Sequence, residues 1–293
     1  MLLNKRISVL YFISQIKSQL LLLAVFAVTV GILDNHAFFK STSLPLNIAA
    51  ILGTAVSLLL GFRTAQSYER WWEARIVWGA IVNDSRTLIR QIVQFLPASE
   101  KNFINTFSER QIIWVYALGE SLRRQPFSQP VKVYLDRNGI TALNVPNALL
   151  DAHSDDIAKL VDRGLLTEFR QVQVNETILR LCESMGKCER IKNTVFPRAY
   201  SLLLHTLIYV FAATLPFGLD DSQLVLEILV TFSIPVIFVS IERTAIMMQD
   251  PFENTPVDTP VTALAQTIEL NIREMLGEKG LKPIKPSDTY FQM

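Results

Sequence analysis

Residues 57–79 read SLLLGFRTAQSYERWWEARIVWG, and the fold turns on this stretch. It opens as sequence that a bilayer accepts and passes at Arg63 into arginine, glutamate and tryptophan. No proline intervenes, and a glycine such as Gly61 is tolerated in a membrane helix. The pattern predicts one helix that leaves an apolar phase and runs on past Asn83 in water. Taken in steps of four, Gly53, Ser57, Gly61 and Ala65 form a row of small residues, a surface on which helices approach closely. Thr54, Leu58, Phe62 and Gln66 form the adjacent row, and each row keeps roughly one direction over two or three turns. Two arrangements fit. In one, the small row packs against other copies of the helix and Thr54, Leu58 and Phe62 point toward a shared axis. In the other, the small row serves packing within the chain and the second row faces lipid.

Beyond Arg63, the residues Tyr68, Trp71, Trp72 and Trp78 suit the membrane interface, where amphipathic rings collect. Arg70 with Glu73, and Trp71 with Arg75, have the spacing of contacts on one helix face. Three other segments resemble residues 41–62 in hydropathy. They are SQLLLLAVFAVTVGIL after Lys17, AYSLLLHTLIYVFAATLPFGL after Arg198, and SQLVLEILVTFSIPVIFVSI from Ser222. About 20 apolar residues cross a bilayer as a helix, and none of these segments alternates as a barrel strand does. The expectation is an all-α integral membrane protein with four transmembrane helices.

Charge fixes the predicted topology. With the spans paired in order, only Lys40 of the 28 Lys and Arg falls in the short outer connections, which carry Asp34, Asp220 and Asp221. Arg63, Arg70, Arg75, Arg190, Lys192, Arg198 and Arg243 crowd the opposite ends, so both termini are read as cytosolic. The organisation follows as residues 1–62 with the first two spans, 63–198 as a cytosolic helical domain, 199–248 with spans three and four, and 249–293 as a C-terminal helix and tail. The N-terminus lacks a small-residue cleavage site and reads as mature sequence rather than a signal peptide.

Within the cytosolic part, residues 101–125 read as a helix that stops before Pro126. Asn138-Gly139 and Pro146 mark turns, and SDDIAKLVD opens on Ser154 as a cap. LLTEFRQVQVNETILRLCESMGKCERIKN reads as one long amphipathic helix. Near the C-terminus, Asp258 or Thr259 is expected to cap a helix whose first residue is Pro260. Pro235 is expected to kink the fourth span into two parts. Glu227 lies near that span's outer end, where it either snorkels to the interface or serves a pore. His205 has the place of an interhelical hydrogen bond or of a pH sensor.

Composition excludes several functions. A net charge of +1 without a basic run argues against nucleic-acid binding. Cys182 and Cys188 have no neighbouring His or Cys, which leaves reduced thiols. No HExxH, phosphate loop or Cys/His cluster is present, and the only histidines are His36, His153 and His205. No catalytic residue, metal or cofactor is assigned. A membrane scaffold with a helical cytosolic face is the alternative to helices that line an aqueous path along a shared axis.

GFRTAQSYERWWEAR with IVNDSRTL, PRAYSLLLH, and DPFENTPVDTPVTALAQTIE together resemble the bacterial branch of the bestrophin family over nearly the whole chain. The resemblance implies a homopentameric channel for monovalent ions in a bacterial inner membrane, with lipid and other copies of itself as partners. It places Thr54, Leu58 and Phe62 in an apolar neck lined by the second span of each subunit. Thr54 departs from the apolar residue usual there. A second, cytosolic constriction falls near IKNTVFP, with Ile191 as the candidate. Animal members clasp calcium with an unbroken acidic run. Here only Asp250, Glu253 and Asp258 are acidic in that segment, and a calcium site needs 6–8 oxygens. A structural loop is the better reading. By family the resemblance implies an anion such as chloride as the permeant ion, with a cation also possible, since animal members pass anions and bacterial members can favour cations.

Overall fold

The computed structural model describes residues 9–34, 44–194, 196–219 and 224–283. Their regular structure is all helical, with no strand among the described residues. The helices are α1 (Val9–Gln15), α2 (Lys17–Asp34), α3 (Leu46–Phe95), α4 (Lys101–Leu122), α5 (Gln129–Asn138), α6 (Val145–Asp162), α7 (Glu168–Asn193), α8 (Arg198–Thr214), α9 (Leu224–Gln249) and α10 (Val261–Met275). Residues 57–79 lie inside α3, a single helix of 50 residues. It ends two residues before Pro97, whose ring disfavours helical geometry in the residue ahead of it.

The chain divides into two compact units at Arg70, Thr194 and Gln249. The apolar unit comprises α1, α2, α3 up to Arg70, α8 and α9. Its core gathers Leu23, Val56, Leu60, Leu204, Ile208, Phe211 and Val239. Outside that core it leaves Leu21, Val25, Ile51, Leu202 and Val225 exposed. Among the described residues, α3 and α9 are long and apolar enough to cross a membrane. At 17 residues α8 measures about 26 Å, just under a hydrocarbon core of ~30 Å. The expected division of α9 at Pro235 does not occur, because α9 continues through it and Pro235 is buried against its neighbours. Packing on adjacent helices compensates for the amide that proline lacks.

The polar unit comprises Trp71–Thr194 and the chain from Asp250. Its core is large and aromatic, built on Trp78, Phe107, Trp114 and Tyr134 with aliphatic residues from α3, α4, α6, α7 and α10. Trp78 is wholly buried here, so it is a core anchor and not a member of an interfacial belt. Its neighbour Gly119 lets α4 and α10 approach closely, since a Cβ there would lie 2.5 Å from Val261.

Two helix starts differ from expectation. α6 begins at Val145, with Asn144 accepting the Asn147 N–H at 3.1 Å, and Ser154 lies inside the helix. Pro146 marks that start because its missing N–H is unneeded in the first turn. α10 begins after Pro260, which occupies the cap position itself. Asp258 instead takes the Thr255 N–H at 3.0 Å and holds the preceding loop.

Candidate functional site

The apolar half of α3 has two distinct faces. One packs on α8 and α9. Val56 and Leu60 are 0% and 2% exposed, and Tyr200 of α8 donates to the Leu59 carbonyl at 2.7 Å. Arg63 is buried on the same side. Its Nη1 donates to Ser201 at 2.7 Å, its Nη2 to Gln249 at 3.3 Å, and its guanidinium lies 4.5 Å over the Phe196 ring. Nearly two turns later, Arg70 Nε donates to the Gln249 carbonyl at 3.0 Å. These contacts fix the rotation of α3 about its own axis.

That rotation presents Thr54, Leu58 and Phe62 outward. Leu58 is 61% and Phe62 58% exposed, Thr54 is exposed, and Thr54 Oγ1 donates to the Ala50 carbonyl within its own helix. The small row is shared between two uses. Gly53 serves packing inside the chain, because a Cβ there would meet the Phe211 ring of α8 at 3.1 Å. Ser57 is exposed and Gly61 has open space around it. Of the two arrangements the sequence allowed, Gly53 follows the intrachain one.

Several residues of the segment after Arg63 are held by specific contacts. Tyr68 and Trp72 are exposed, and Arg70 and Arg75 are partly buried. Trp71 stacks on Trp72 with ring centroids 6.2 Å apart and donates its indole N–H to the Val257 carbonyl at 2.8 Å. Glu73 pairs with Arg190 of α7. In the apolar unit, His205 Nδ1 lies 3.0 Å from Glu242 Oε1, joining α8 to α9 as an interhelical contact. Glu227 is buried, so its side chain does not snorkel outward.

Ile191 is 3% exposed within the polar core, packed with Met185 and Cys188, and so has no free surface with which to form a constriction. The apolar side chains that α7 does expose are Phe169 (88%), Val172 and Leu179. Sequence reasoning passed over them because α7 carries two apolar stripes and only packing distinguishes them.

The loop after α9 is held by internal pairs. Lys192 Nζ reaches Asp250 at 2.6 Å, and the buried Asp258 turns back to Thr255. Burial and the adjacent Asp250 push the Glu253 carboxyl above the usual range. Among the described residues no three His, Cys, Asp or Glu are grouped to hold a metal ion. A groove of about 1170 Å³ lies between α4, α5 and α10 in the polar unit. Its charges largely neutralise one another, with Arg137 on Glu109 and Arg273 on Glu269. Burial and the bond to Glu269 hold the Tyr116 phenol protonated. No activated nucleophile or base emerges from such a set.

A helix pinned on one side and bare on the other, in a unit whose outer surface is apolar, defines a helical membrane protein that presents one α3 face. The chain belongs to the bestrophins: the family model described as bacterial/fungal bestrophin protein matches residues 6–274. It is 30% identical over 288 residues to the voltage-dependent anion channel-forming protein YneE of Escherichia coli K12, covering 96% of this chain and 93% of that one. A protein of the same description from Ralstonia nicotianae, RSc3414, is 27% identical over 267 residues, 89% of this chain and 87% of that one. The crystal structure of a bacterial bestrophin homologue from Klebsiella pneumoniae superposes with a TM-score of 0.83 at 27% identity, covering 90% of this chain and 99% of that one.

Proposed function

We propose that this chain forms a homopentameric ion channel in a bacterial inner membrane, with five copies of α3 lining an apolar neck. The observation that carries this reading is the exposure of Leu58 and Phe62 on a helix whose opposite side is buried and fixed. Isolated exposed leucines are ordinary on a membrane protein. A Thr-Leu-Phe row next to an open Ser57 and Gly61 is what close-packed copies around an axis require. Relatives named as anion channel-forming proteins support anions such as chloride as the permeant species.

In this arrangement α2, the first half of α3, α8 and α9 are the four spans. Tyr68, Arg70, Trp71, Trp72 and Arg75 sit where α3 leaves the bilayer, and both termini are cytosolic. Rings of Leu58 and Phe62 offer an ion no compensating charge, so passage is limited by loss of hydration water, the mode by which hydrophobic constrictions gate. The Thr54 hydroxyls keep the outer ring wetter. A second constriction on α7 draws on Phe169 and Val172 and not on Ile191.

The test is electrical. Purified protein in a planar bilayer under an asymmetric KCl gradient is expected to carry current reversing toward the chloride equilibrium potential. A verified pentamer that carries no current, even as Leu58→Ala, points to a membrane scaffold instead. Gly61→Val places a branched side chain where copies approach. It is expected to weaken the pentamer, as read by crosslinking and native mass.

A further inference from the structure

The face of α3 that carries Thr54, Leu58 and Phe62 does not stop at Phe62. At 100° per residue, Glu69 points between the directions of Leu58 and Phe62, about 10 Å further along the axis. Ala65 lies between them and is exposed, as is Glu69. The other charges in this part of α3 are engaged elsewhere. Arg63 is buried against Ser201 and Gln249, Arg70 donates to the Gln249 carbonyl, and Glu73 pairs with Arg190. Glu69 makes no ion pair or hydrogen bond to any described residue, and it is the first charged side chain on the neck face beyond Phe62.

From this we infer that Glu69 biases charge preference at the inner mouth of the neck toward cations. The inference rests on the proposed pentamer, in which five copies of α3 repeat the carboxylate around the axis. The neck itself is electrically neutral, so it cannot tell chloride from potassium by sign. A ring of five carboxylates immediately beyond it concentrates cations and repels anions. Confinement between low-dielectric walls focuses that field. The carboxylates therefore lower the chloride-to-potassium permeability ratio below what the neck and the polar unit would give without them. Because Glu69 is exposed and unpaired, replacing it breaks no contact that holds the fold together.

The measurement is the reversal potential of Glu69→Gln and Glu69→Lys in planar bilayers under a KCl gradient, beside the wild-type protein and Leu58→Ala. Neutralisation is expected to raise the chloride-to-potassium ratio by roughly threefold, and charge reversal by more. That is the order expected of a screened ring of unit charges. The shift is expected to shrink in molar salt, where the screening length falls to about 3 Å. A higher conductance in Leu58→Ala combined with unchanged reversal potentials in both Glu69 variants overturns the assignment of Glu69 and leaves the neck standing. Absence of current in every variant, with the pentamer intact, overturns the neck and Glu69 with it.

Discussion

The two units of this protein bury opposite things. The polar unit hides Trp78, Trp114 and Phe107 and puts Arg137, Glu109, Lys159 and Arg163 at its surface. The apolar unit hides Arg63, Glu227 and Glu242 and exposes Leu21, Leu58, Leu202 and Val225. Each pattern identifies the medium around it. In water an exposed leucine costs free energy and a buried ion pair gains little. In hydrocarbon an exposed leucine costs nothing, and charges retreat to the interior where they find partners. The single helix α3 belongs to both units, and the boundary at Arg70 lies seven residues beyond the sequence change at Arg63.

The largest expected effect lies in the polar unit. Trp114→Ala removes a wholly buried ring from a core that water-driven burial built. It is expected to cost about 3–5 kcal/mol, read as a lower midpoint in denaturant. Two adjacent rows of the apolar unit offer a finer contrast. Leu60→Ala, at a buried site, is expected to cost ~2 kcal/mol through lost packing, whereas Leu58→Ala at an exposed site leaves thermal stability nearly unchanged. Equal losses would mean that Leu58 is packed in the way Leu60 is.

The smallest effect concerns pH. His153 is fully buried, its ring tilted against that of Phe107 with centroids 4.0 Å apart and both nitrogens unpartnered, beside the Arg110–Asp156 pair. Burial, and secondarily the Arg110 charge, hold its pKa well below the ordinary imidazole value of 6.5. The unfolded chain takes up a proton below pH 6.5 that the folded chain refuses. Stability therefore falls as pH drops through that value, by at most about 1.4 kcal/mol per pH unit. His153→Phe is expected to flatten the melting temperature between pH 6.5 and 5. An unchanged slope would place the acid sensitivity in other groups.

Much of this was legible in the residues. The unbroken α3 followed from the absence of proline between Ala49 and Phe95, and the outward row from four-residue spacing. What could not be read was which of two apolar stripes a helix buries. On α7, Val174, Ile178 and Leu181 face the core while Phe169, Val172 and Leu179 do not, and Ile191 joins the first set. Hydropathy scores the two stripes alike. Asn144 was missed because Pro146 reads equally as a turn or as the first turn of a helix, and only the Asn144–Asn147 bond decides. Gly53 could not be assigned to one arrangement for the same kind of reason, since a small residue fits a close approach from either side.

The central claim is that Leu58 and Phe62 form the neck, and single-channel conductance tests it most directly. Leu58→Ala and Phe62→Ala pentamers in a planar bilayer are expected to conduct more than the wild-type protein, because each widens the passage and lets hydration water through. Unchanged conductance in both variants, with pentamers intact, would contradict the account.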